Sequence, residues 1–142
     1  MSHPHEPFEA IRPPLIEAVA VEEDSPPSVR VALEHGNELF VRDAAVGQDP
    51  SIPAPYVAAA AEATIAALNL LTPSAVHLTL QWSGVVPTGE GLPPVAMTVV
   101  GFNVAGVPMR YAGAVITDGD SVVNGAKAAL DAVNRRLGVT GL

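Results

Sequence analysis

The sequence predicts an α+β fold of two β-β-β-α repeats, in which antiparallel sheets carry two alanine-rich helices packed on one face. Two alanine-rich segments place apolar residues at helical spacing, and each follows three segments that alternate in the manner of strands. The two halves also align with each other. We therefore expect one domain over residues 15–142, with repeats at about 15–72 and 75–138, after a flexible N-terminal tail over residues 1–14.

The first repeat begins with three predicted strands. Leu15–Val21 is an apolar run that ends at a Pro-rich, acidic breaker, and around Val31 apolar residues alternate with polar or small ones. The residues His35–Asn37 tolerate positive φ and predict a tight turn. Glu38–Val46 is therefore expected to return as the hairpin partner.

The first predicted helix is Tyr56–Leu71, which follows a connection rich in Gly and Pro. Its apolar residues recur at the spacing that forms one stripe along a helix. Its many alanines allow close approach to a sheet or to another helix. The stripe consists of Val57, Ala61, Ile65, Leu68 and Leu71.

The second repeat predicts three more strands and a long loop. Apolar and polar residues alternate over 76–82, which predicts a strand that ends at Trp82 with this side chain on its apolar side. Gly84–Pro94 then predicts a mobile hairpin loop, because it is rich in Gly and Pro. Pro94–Val104 and Val107–Thr117 are two strands joined by a short turn.

The strand Pro94–Val104 is apolar on both faces, which predicts cover on both sides. We expect one face to meet the helices and the other to meet a second subunit. One face carries Val95, Met97 and Val99, and the other carries Ala96, Val100 and Phe102. The predicted interface residues are Trp82, Met97, Val99 and Tyr111.

The last helix is predicted over about Ser121–Leu137, with Asp120 as its N-cap. Asn69 and Asn134 stand near the ends of the two helices, where an asparagine is typical of a C-terminal cap. The predicted buried stripe of the last helix consists of Val122, Ala126, Leu130, Val133 and Leu137.

The alignment of the two halves has different offsets in its helices and its strands. Ile65 matches Leu130 at an offset of 65 residues (130 − 65), and Leu39 matches Met109 at an offset of 70 (109 − 39). The difference falls in the Pro-rich connection before the first helix, where an insertion costs little free energy. The halves are therefore expected to be structural repeats.

Charge and composition exclude several classes of protein. The chain carries 15 acidic residues against seven Lys and Arg, for a net charge of -8, and nucleic-acid binding relies on clustered cations. No apolar run reaches the roughly 18 residues of a membrane span, and the N-terminus lacks the order of a signal peptide. With no cysteine, disulfides and thiolate sites are excluded. We expect a cytoplasmic protein that binds neither nucleic acid nor membrane, and the Ala, Val, Gly, Pro and Asp bias is typical of a high-GC bacterial genome.

Few residues carry candidate chemistry. Gly119–Lys127 has the composition of a phosphate-binding loop, but its lysine does not follow the glycine directly, and Asp118 and Asp120 would repel phosphate. These two acids could ligate a divalent cation, although an Asp-Gly-Asp turn more often caps a helix. Catalysis would have to rest on Asp43, His77 or this acidic turn, with no base beside a Ser or Thr. We expect a protein that is not an enzyme and that uses no cofactor or metal.

The tail contains two histidines, His3 and His5, which suggest a copper or nickel site at a free amino terminus. Removal of the first methionine before Ser2 would shift His3 out of the third position that such sites use. A flexible tail is the better interpretation, and the metal-binding alternative stays open.

The turns that precede the two helices, Gly47–Pro55 and Thr117–Ser121, are equivalent in the repeat and predict a ligand site together with the Gly84–Pro94 loop. The first amides of a helix lack partners and can hold a carboxylate, and the nearby acids suit the amine of a zwitterion. The predicted ligand-binding residues are Gly47, Asp49, Asp118, Asp120 and Ser121.

The segment Gly113–Val122, GAVITDGDSV, and the segment Ala126–Arg135, AKAALDAVNR, resemble the end of the C-terminal regulatory domain of 2-isopropylmalate synthases. In that family a Gly-containing strand leads through an Asp-x-Asp turn into a helix that ends Ala-Leu-Asn-Arg. The resemblance covers the last third of the chain, and the first half through the internal repeat. It implies a pair of β-β-β-α units that dimerises and binds a feedback amino acid where two subunits meet.

The chain differs from that family's pattern before the first helix and within the last one. Residues 47–53 replace a Gly-rich turn, and Asn124 and Gly125 stand where small Ala and Ser residues are common. No segment of the sequence corresponds to the catalytic barrel, so the resemblance implies sensing or docking without the condensation. We expect a non-catalytic regulatory or small-molecule-binding homodimer for an amino-acid-like metabolite. The alternative is a structural or protein-interaction module that docks another protein through an apolar sheet face.

Overall fold

Six strands and two helices follow one another in the order β-β-β-α-β-β-β-α, which confirms the predicted α+β class and its repeat. A computed structural model of the chain describes residues 14–47 and 54–140, and side chains as far as residue 134. His3, His5 and the rest of the predicted tail before Pro14 lie outside the described residues. The elements are β1 Leu15–Val21, β2 Ser28–His35, β3 Glu38–Ala45, α1 Pro55–Leu71, β4 Val76–Val86, β5 Val95–Val104, β6 Val107–Ile116 and α2 Ser121–Thr140.

Each half of the chain forms one antiparallel three-stranded sheet, β1-β2-β3 in sheet A and β4-β5-β6 in sheet B. The second hairpin of each sheet closes with a two-residue turn in which both residues have positive φ. The values are 58° at Gly36, 69° at Asn37, 51° at Ala105 and 86° at Gly106. Consecutive positive φ angles are typical of a type I′ turn, whose twist matches that of paired strands. Both predicted turns are thereby confirmed.

The two turns determine how the repeats correspond. His35 pairs with Glu38 and Val104 with Val107, which gives a strand offset of 69 residues (104 − 35 and 107 − 38). The predicted strand offset of 70 is therefore wrong by one residue. The difference matters because successive side chains of a strand point to opposite faces. Leu39, which the predicted alignment matches to a core-facing residue, is 58% exposed.

The two helices lie against the inner faces of the sheets and against each other. α1 contacts β2 and β3 of its own repeat and also β4, whereas α2 contacts β5 and β6 and also β1. A helix with neighbours on several sides favours small side chains, because they permit short distances between backbones. This confirms the prediction of two alanine-rich helices packed on one sheet face. The buried residues of α1 are Val57, Ala59, Ala60, Ala61, Ala63, Thr64, Ile65, Ala67 and Leu68.

The core lies between the sheets' inner faces and the helix layer. The predicted stripe of α2 is buried from Val122 to Val133, and the side chain of Leu137 lies outside the described part. Phe102 is fully buried and meets Tyr111 edge to face, with 5.6 Å between the ring centroids. The largest fully buried strand residues are Phe102, Leu33, Leu78, Val29, Val31 and Val100.

A glycine permits a close approach between the helices. A Cβ atom placed on Gly125 would overlap the carbonyl oxygen of Val57 and lie 2.9 Å from the Cβ of Ala60. Ala60 and Gly125 are equivalent residues under the helix offset of 65 (125 − 60). Contact between equivalent residues is expected where a twofold axis crosses an interface. The axis that relates the two repeats therefore passes between these residues, near the start of both helices.

Asn69 has a different role from the predicted helix cap. Its side-chain Nδ2 donates to the carbonyl of Leu78 at 2.8 Å, and its Oδ1 accepts from the amide of Leu78 at 2.9 Å. α1 instead ends with the Thr72 amide donating to the Leu68 carbonyl at 3.1 Å. Leu78 belongs to β4, an edge strand, so the asparagine amide pairs with that edge in place of another strand and blocks it.

Replacing Asn69 with alanine is expected to destabilise the protein by about 1.5 kcal/mol, because it leaves both backbone groups of Leu78 without their partner. Urea unfolding followed by circular dichroism measures the loss, and hydrogen exchange at the Leu78 amide is expected to accelerate. Glu62→Ala, at an exposed position of the same helix, is the matched control. Equal unfolding free energies for the two variants would contradict this role.

Candidate binding face on sheet B

Sheet B has an inner face, toward the helices, and an outer face, away from them. Residues opposite each other in neighbouring strands share a face, so the register assigns each side chain. Alternate residues of β5 from Ala96 to Phe102 are buried on the inner face, and those between them belong to the outer face. Five cross-strand rows make up the outer face: Val86–Val95–Ile116, Gly84–Met97–Ala114, Trp82–Val99–Ala112, Thr79–Gly101–Arg110 and His77–Asn103–Pro108.

A β-bulge places Trp82 on the outer face. Leu80 pairs with Val100 and Trp82 with Val99, so Gln81 is the extra residue in β4. Simple alternation predicts Trp82 on the same face as Leu80, and that prediction is wrong because a bulge reverses the faces of the residues after it. The tryptophan thereby leaves the core side and joins the exposed side of the sheet.

β4 continues beyond the tryptophan as far as Val86. The prediction of a loop over Gly84–Pro94 is therefore wrong for its first three residues, since Gly84 and Val86 both pair with β5. The connection between the strands spans residues 87–94. The longer strand adds two rows to the outer face.

Half of the outer face is apolar. Trp82 is 41% exposed and Ile116 is 65% exposed, and the valines and the methionine between them are half-buried. We call this surface the apolar patch. It consists of Trp82, Val86, Val95, Met97, Val99 and Ile116.

The other half is a polar groove with a volume of about 550 Å³. Gly101 forms part of its floor. A Cβ atom on Gly101 would lie 2.8 Å from the hydroxyl oxygen of Thr79 and would overlap the side-chain Nε2 of Gln81. Those two side chains therefore lie across the glycine. The polar side chains of the groove are His77, Thr79, Gln81, Asn103 and Arg110.

The part of the groove lining that the structure describes is rich in hydrogen-bond donors and contains no acidic residue. Arg110 is exposed, and it forms no ion pair with any residue that the structure describes. On sheet A, by contrast, Arg30 donates to Asp43 from Nε at 2.9 Å and from Nη2 at 3.0 Å. The hydrogen bond from Arg30 lowers the pKa of the Asp43 carboxyl and raises the pKa of the guanidinium. The two arginines therefore differ in what they can still bind.

The outer faces of the two sheets differ where the repeats correspond. The offset of 69 matches Arg30 of sheet A with Val99 of sheet B, and Asp43 with Ala112 (99 − 30 and 112 − 43). An ion pair on sheet A is thus replaced by apolar side chains on sheet B. The strands of the two sheets have the same arrangement, so the two outer faces differ here in their side chains. A charged outer face on sheet A suits contact with water, and an apolar one on sheet B suits contact with a partner.

The structure describes four of the five predicted ligand-binding residues. Asp118 and Asp120 are exposed in the turn before α2, and Ser121 is the exposed first residue of that helix. Gly47 is exposed after β3, and Asp49 lies outside the described residues. A site that combines both turns stays a prediction.

Asp120 is confirmed as the N-cap of α2. Its Oδ1 accepts from the amide of Val122 at 2.8 Å, and more weakly from that of Val123 at 3.4 Å. Its carbonyl accepts from the Asn124 amide at 3.0 Å. The Oδ1 of Asp120 therefore accepts hydrogen bonds from the helix backbone. Its Oδ2 is the oxygen that could accept from the amine of a zwitterionic ligand.

Asn124 is the residue near this turn that the sequence reasoning did not assign to the site. It is buried, and no hydrogen bond joins its side chain to any other described residue. Buried side-chain amides usually have partners, so this one stands out. It follows the capped first turn of α2, next to the glycine at the axis of the repeats.

Three of the four predicted interface residues come together. Trp82, Met97 and Val99 all belong to the apolar patch on the outer face. Tyr111 lies on the inner face, where its ring meets Phe102. Trp82, Met97 and Val99 therefore share one face of sheet B, and Tyr111 lies on the opposite face.

The candidate catalytic residues Asp43 and His77 belong to different sheets. Asp43 is an edge-strand surface acid on sheet A whose pKa is lowered, whereas His77 lies in the polar groove of sheet B. Among residues 14–47 and 54–140, no three His, Asp or Glu side chains form a group that could hold a metal ion. No helix in the described part is long and apolar enough to cross a membrane.

The polar groove is the site that sequence reasoning missed. The signal was present, because His77, Thr79 and Gln81 alternate along one strand, and the Ala105–Gly106 turn sets Asn103 near the following strand. Combining the alternation with the turn register brings these side chains to one face. Family models and curated proteins were both compared with this chain, and neither comparison finds a match.

Proposed function

We propose that the chain is a non-catalytic small-molecule-binding module that acts as a homodimer, with its ligand in the polar groove and a second copy on the apolar patch. One observation carries the proposal: a single exposed sheet face is divided into an apolar half and a donor-rich half. Both halves lie on the same three strands. A ligand in the groove and a second copy on the patch would therefore be neighbours on one face.

The apolar patch supports a second copy of this chain as the partner. Contiguous exposed apolar surface is uncommon on monomeric proteins and usually marks an interaction site. The outer face of sheet B has no acidic residue, although the chain has 15 acids and a net charge of -8. Two copies that meet at this face bring no carboxylates together, whereas at sheet A they would bring Asp43 and its acidic neighbours together.

Twofold symmetry fits the layout of this face. In a twofold dimer the same patch meets itself, so an axis near Met97 would lay apolar rows on apolar rows. The polar grooves would then lie at opposite ends of the interface. The two copies of Arg110 would stay apart, and each groove would remain accessible.

The groove supports binding better than catalysis. It offers neutral donors and one guanidinium, and among the described residues that line it no carboxylate stands beside His77 to orient it as a base. A binding site needs a few well-placed polar groups next to apolar surface, and the groove and the patch provide both.

Met97→Glu is expected to convert the homodimer into a folded monomer, because a twofold axis near this residue would bring two carboxylates into an apolar interface. Sedimentation velocity measures the mass, and circular dichroism checks the fold. Trp82 is the only tryptophan in the chain, so its fluorescence also reports whether the patch is covered. We expect its emission to shift to the red on dilution of the wild type.

Val19→Glu is the matched control, since Val19 is the counterpart of Trp82 on sheet A and is 38% exposed. This variant is expected to remain dimeric. A wild-type chain that sediments as a monomer at every concentration, or a dimeric Met97→Glu variant, would contradict the homodimer.

A further inference from the structure

We infer that the polar groove binds a monoanionic carboxylate with a short apolar tail. The assignment rests on the proposed binding function and specifies the class of its ligand. It places the carboxylate at Arg110 and the tail toward Trp82 and Val99. Each part of this ligand follows from a different feature of the outer face.

The carboxylate follows from the guanidinium of Arg110. A guanidinium is a planar fork that matches two carboxylate oxygens, and it cannot lose its charge in a protein. Arg30 shows this pairing within the chain, since it holds both oxygens of Asp43. Arg110 has no such acid among the described residues, and the lining of the groove contains none. Its natural complement is therefore a carboxylate that comes from outside.

The neighbours of Arg110 add neutral donors. Gln81 and Asn103 carry amide NH₂ groups, and the Oδ1 of Asn103 already accepts from the Gly106 amide at 2.8 Å. That bond orients the amide so that its NH₂ group remains as the donor. A bound carboxylate has more lone pairs than one guanidinium can satisfy, and these amides are suited to the rest.

The charge of the groove favours a ligand with a single negative charge. It contains one permanently charged side chain, and the chain as a whole has a net charge of -8. A dianion such as phosphate would meet that overall repulsion with only one cation to offset it. A monocarboxylate is matched one to one.

The tail follows from the row beside the arginine. Along β5, Gly101 in the arginine row is followed on the same face by Val99 in the row of Trp82. Residues two apart along a strand are separated by about 7 Å. A tail of a few methylene groups spans that distance and reaches the margin of the apolar patch. The tryptophan ring, whose row adjoins the arginine row, provides the apolar wall.

Hexanoate is the probe that tests the assignment, with hexanamide and acetate as its counterparts. In ¹H–¹⁵N NMR spectra of the labelled full chain, hexanoate is expected to shift the amides of Gly101 and Asn103, the Nε–H of Arg110 and the indole N–H of Trp82. Hexanamide lacks the charge and is expected to leave the Arg110 signal unchanged. Acetate lacks the tail and is expected to leave the Trp82 signal unchanged.

Arg110→Gln is expected to abolish the shifts caused by hexanoate, whereas Arg30→Gln, which changes an arginine already held by an acid, is expected to retain them. Equal shifts with hexanamide, shifts that survive in Arg110→Gln, or no shifts at all would each overturn the assignment. Sedimentation of the same samples separates this inference from the homodimer. A monomer that binds hexanoate refutes only the dimer, and a dimer that ignores hexanoate refutes only the ligand.

Discussion

Replacing Gly113 with alanine is expected to lower the free energy of unfolding by about 3 kcal/mol, because the added methyl group would meet the backbone of α2. A Cβ atom on Gly113 would overlap the backbone nitrogen of Ala132 and the carbonyl oxygen of Ala128, and would lie 2.8 Å from the Cα of Ala132. All these atoms belong to the backbone of α2. No side-chain rotation relieves the overlap, so β6 and α2 must separate.

Gly101→Ala is the matched control for that experiment. Gly101 is also a buried strand glycine of sheet B, but its Cβ atom would meet the side chains of Gln81 and Thr79, which can move. We expect a change within about 0.5 kcal/mol of the wild type. Urea unfolding at one fixed protein concentration measures both variants, because association would shift the apparent stability. Similar losses for the two variants would show that the approach of α2 to β6 is not the cause.

Gly125→Ala is expected to destabilise the protein by about 2.5 kcal/mol, although alanine is the better helix former by about 1 kcal/mol. The added methyl group would overlap the carbonyl oxygen of Val57 and crowd Ala60, at the axis that relates the repeats. The helices would have to move apart where each repeat packs on the other. Helix propensity alone would make the alanine variant more stable than the wild type, whereas the overlap makes it less stable. The sign of the measured change therefore distinguishes the two effects.

Lys127→Ala, two residues further along α2 at an exposed position, is the control for helix propensity. It leaves the helix contacts intact, and we expect a change within about 0.5 kcal/mol. Thermal unfolding by calorimetry compares the two variants. A Gly125→Ala protein that is more stable than the wild type would contradict the close approach of α1 and α2.

Much of the fold could be predicted because its signals are local. The order of elements follows from the periods of apolar residues, and the I′ turn at Gly36–Asn37 follows from two residues that accept positive φ. At Ala105–Gly106 only the glycine gives that signal, because alanine rarely adopts a positive φ. The N-cap at Asp120 is equally local, since its carboxylate bonds amides two and three residues away. Such features depend on neighbours in the sequence and need no knowledge of the rest of the chain.

The errors arose where one residue changes the register. The β-bulge at Gln81 moves Trp82 to the outer face, and no turn residue in the sequence marks it. An internal alignment of two Ala- and Val-rich halves cannot separate an offset of 70 from one of 69. The hydrogen-bonded turns can, because they align the strands residue by residue.

Asn69 shows a further limit of local reasoning. Its place near a helix end predicts a cap, yet its amide bonds the backbone of Leu78 in the next strand. The side-chain carbonyl and NH₂ group of an asparagine can hydrogen-bond the backbone at a helix end or at a strand edge. The choice depends on which backbone groups the tertiary fold leaves without partners.

By itself the sequence determined the class of fold, the two repeats, the turns and the helix layer, because each follows from periodicity or from the conformational preferences of a few residues. Only the tertiary structure decided which side chains share a face. It separated Tyr111 from Trp82, and it brought Arg110 beside the polar residues of β4, with no acid among the described residues to pair with it. The physical reason is that a site on a sheet is assembled across strands, and the strand register is settled by hydrogen bonds between residues distant in sequence.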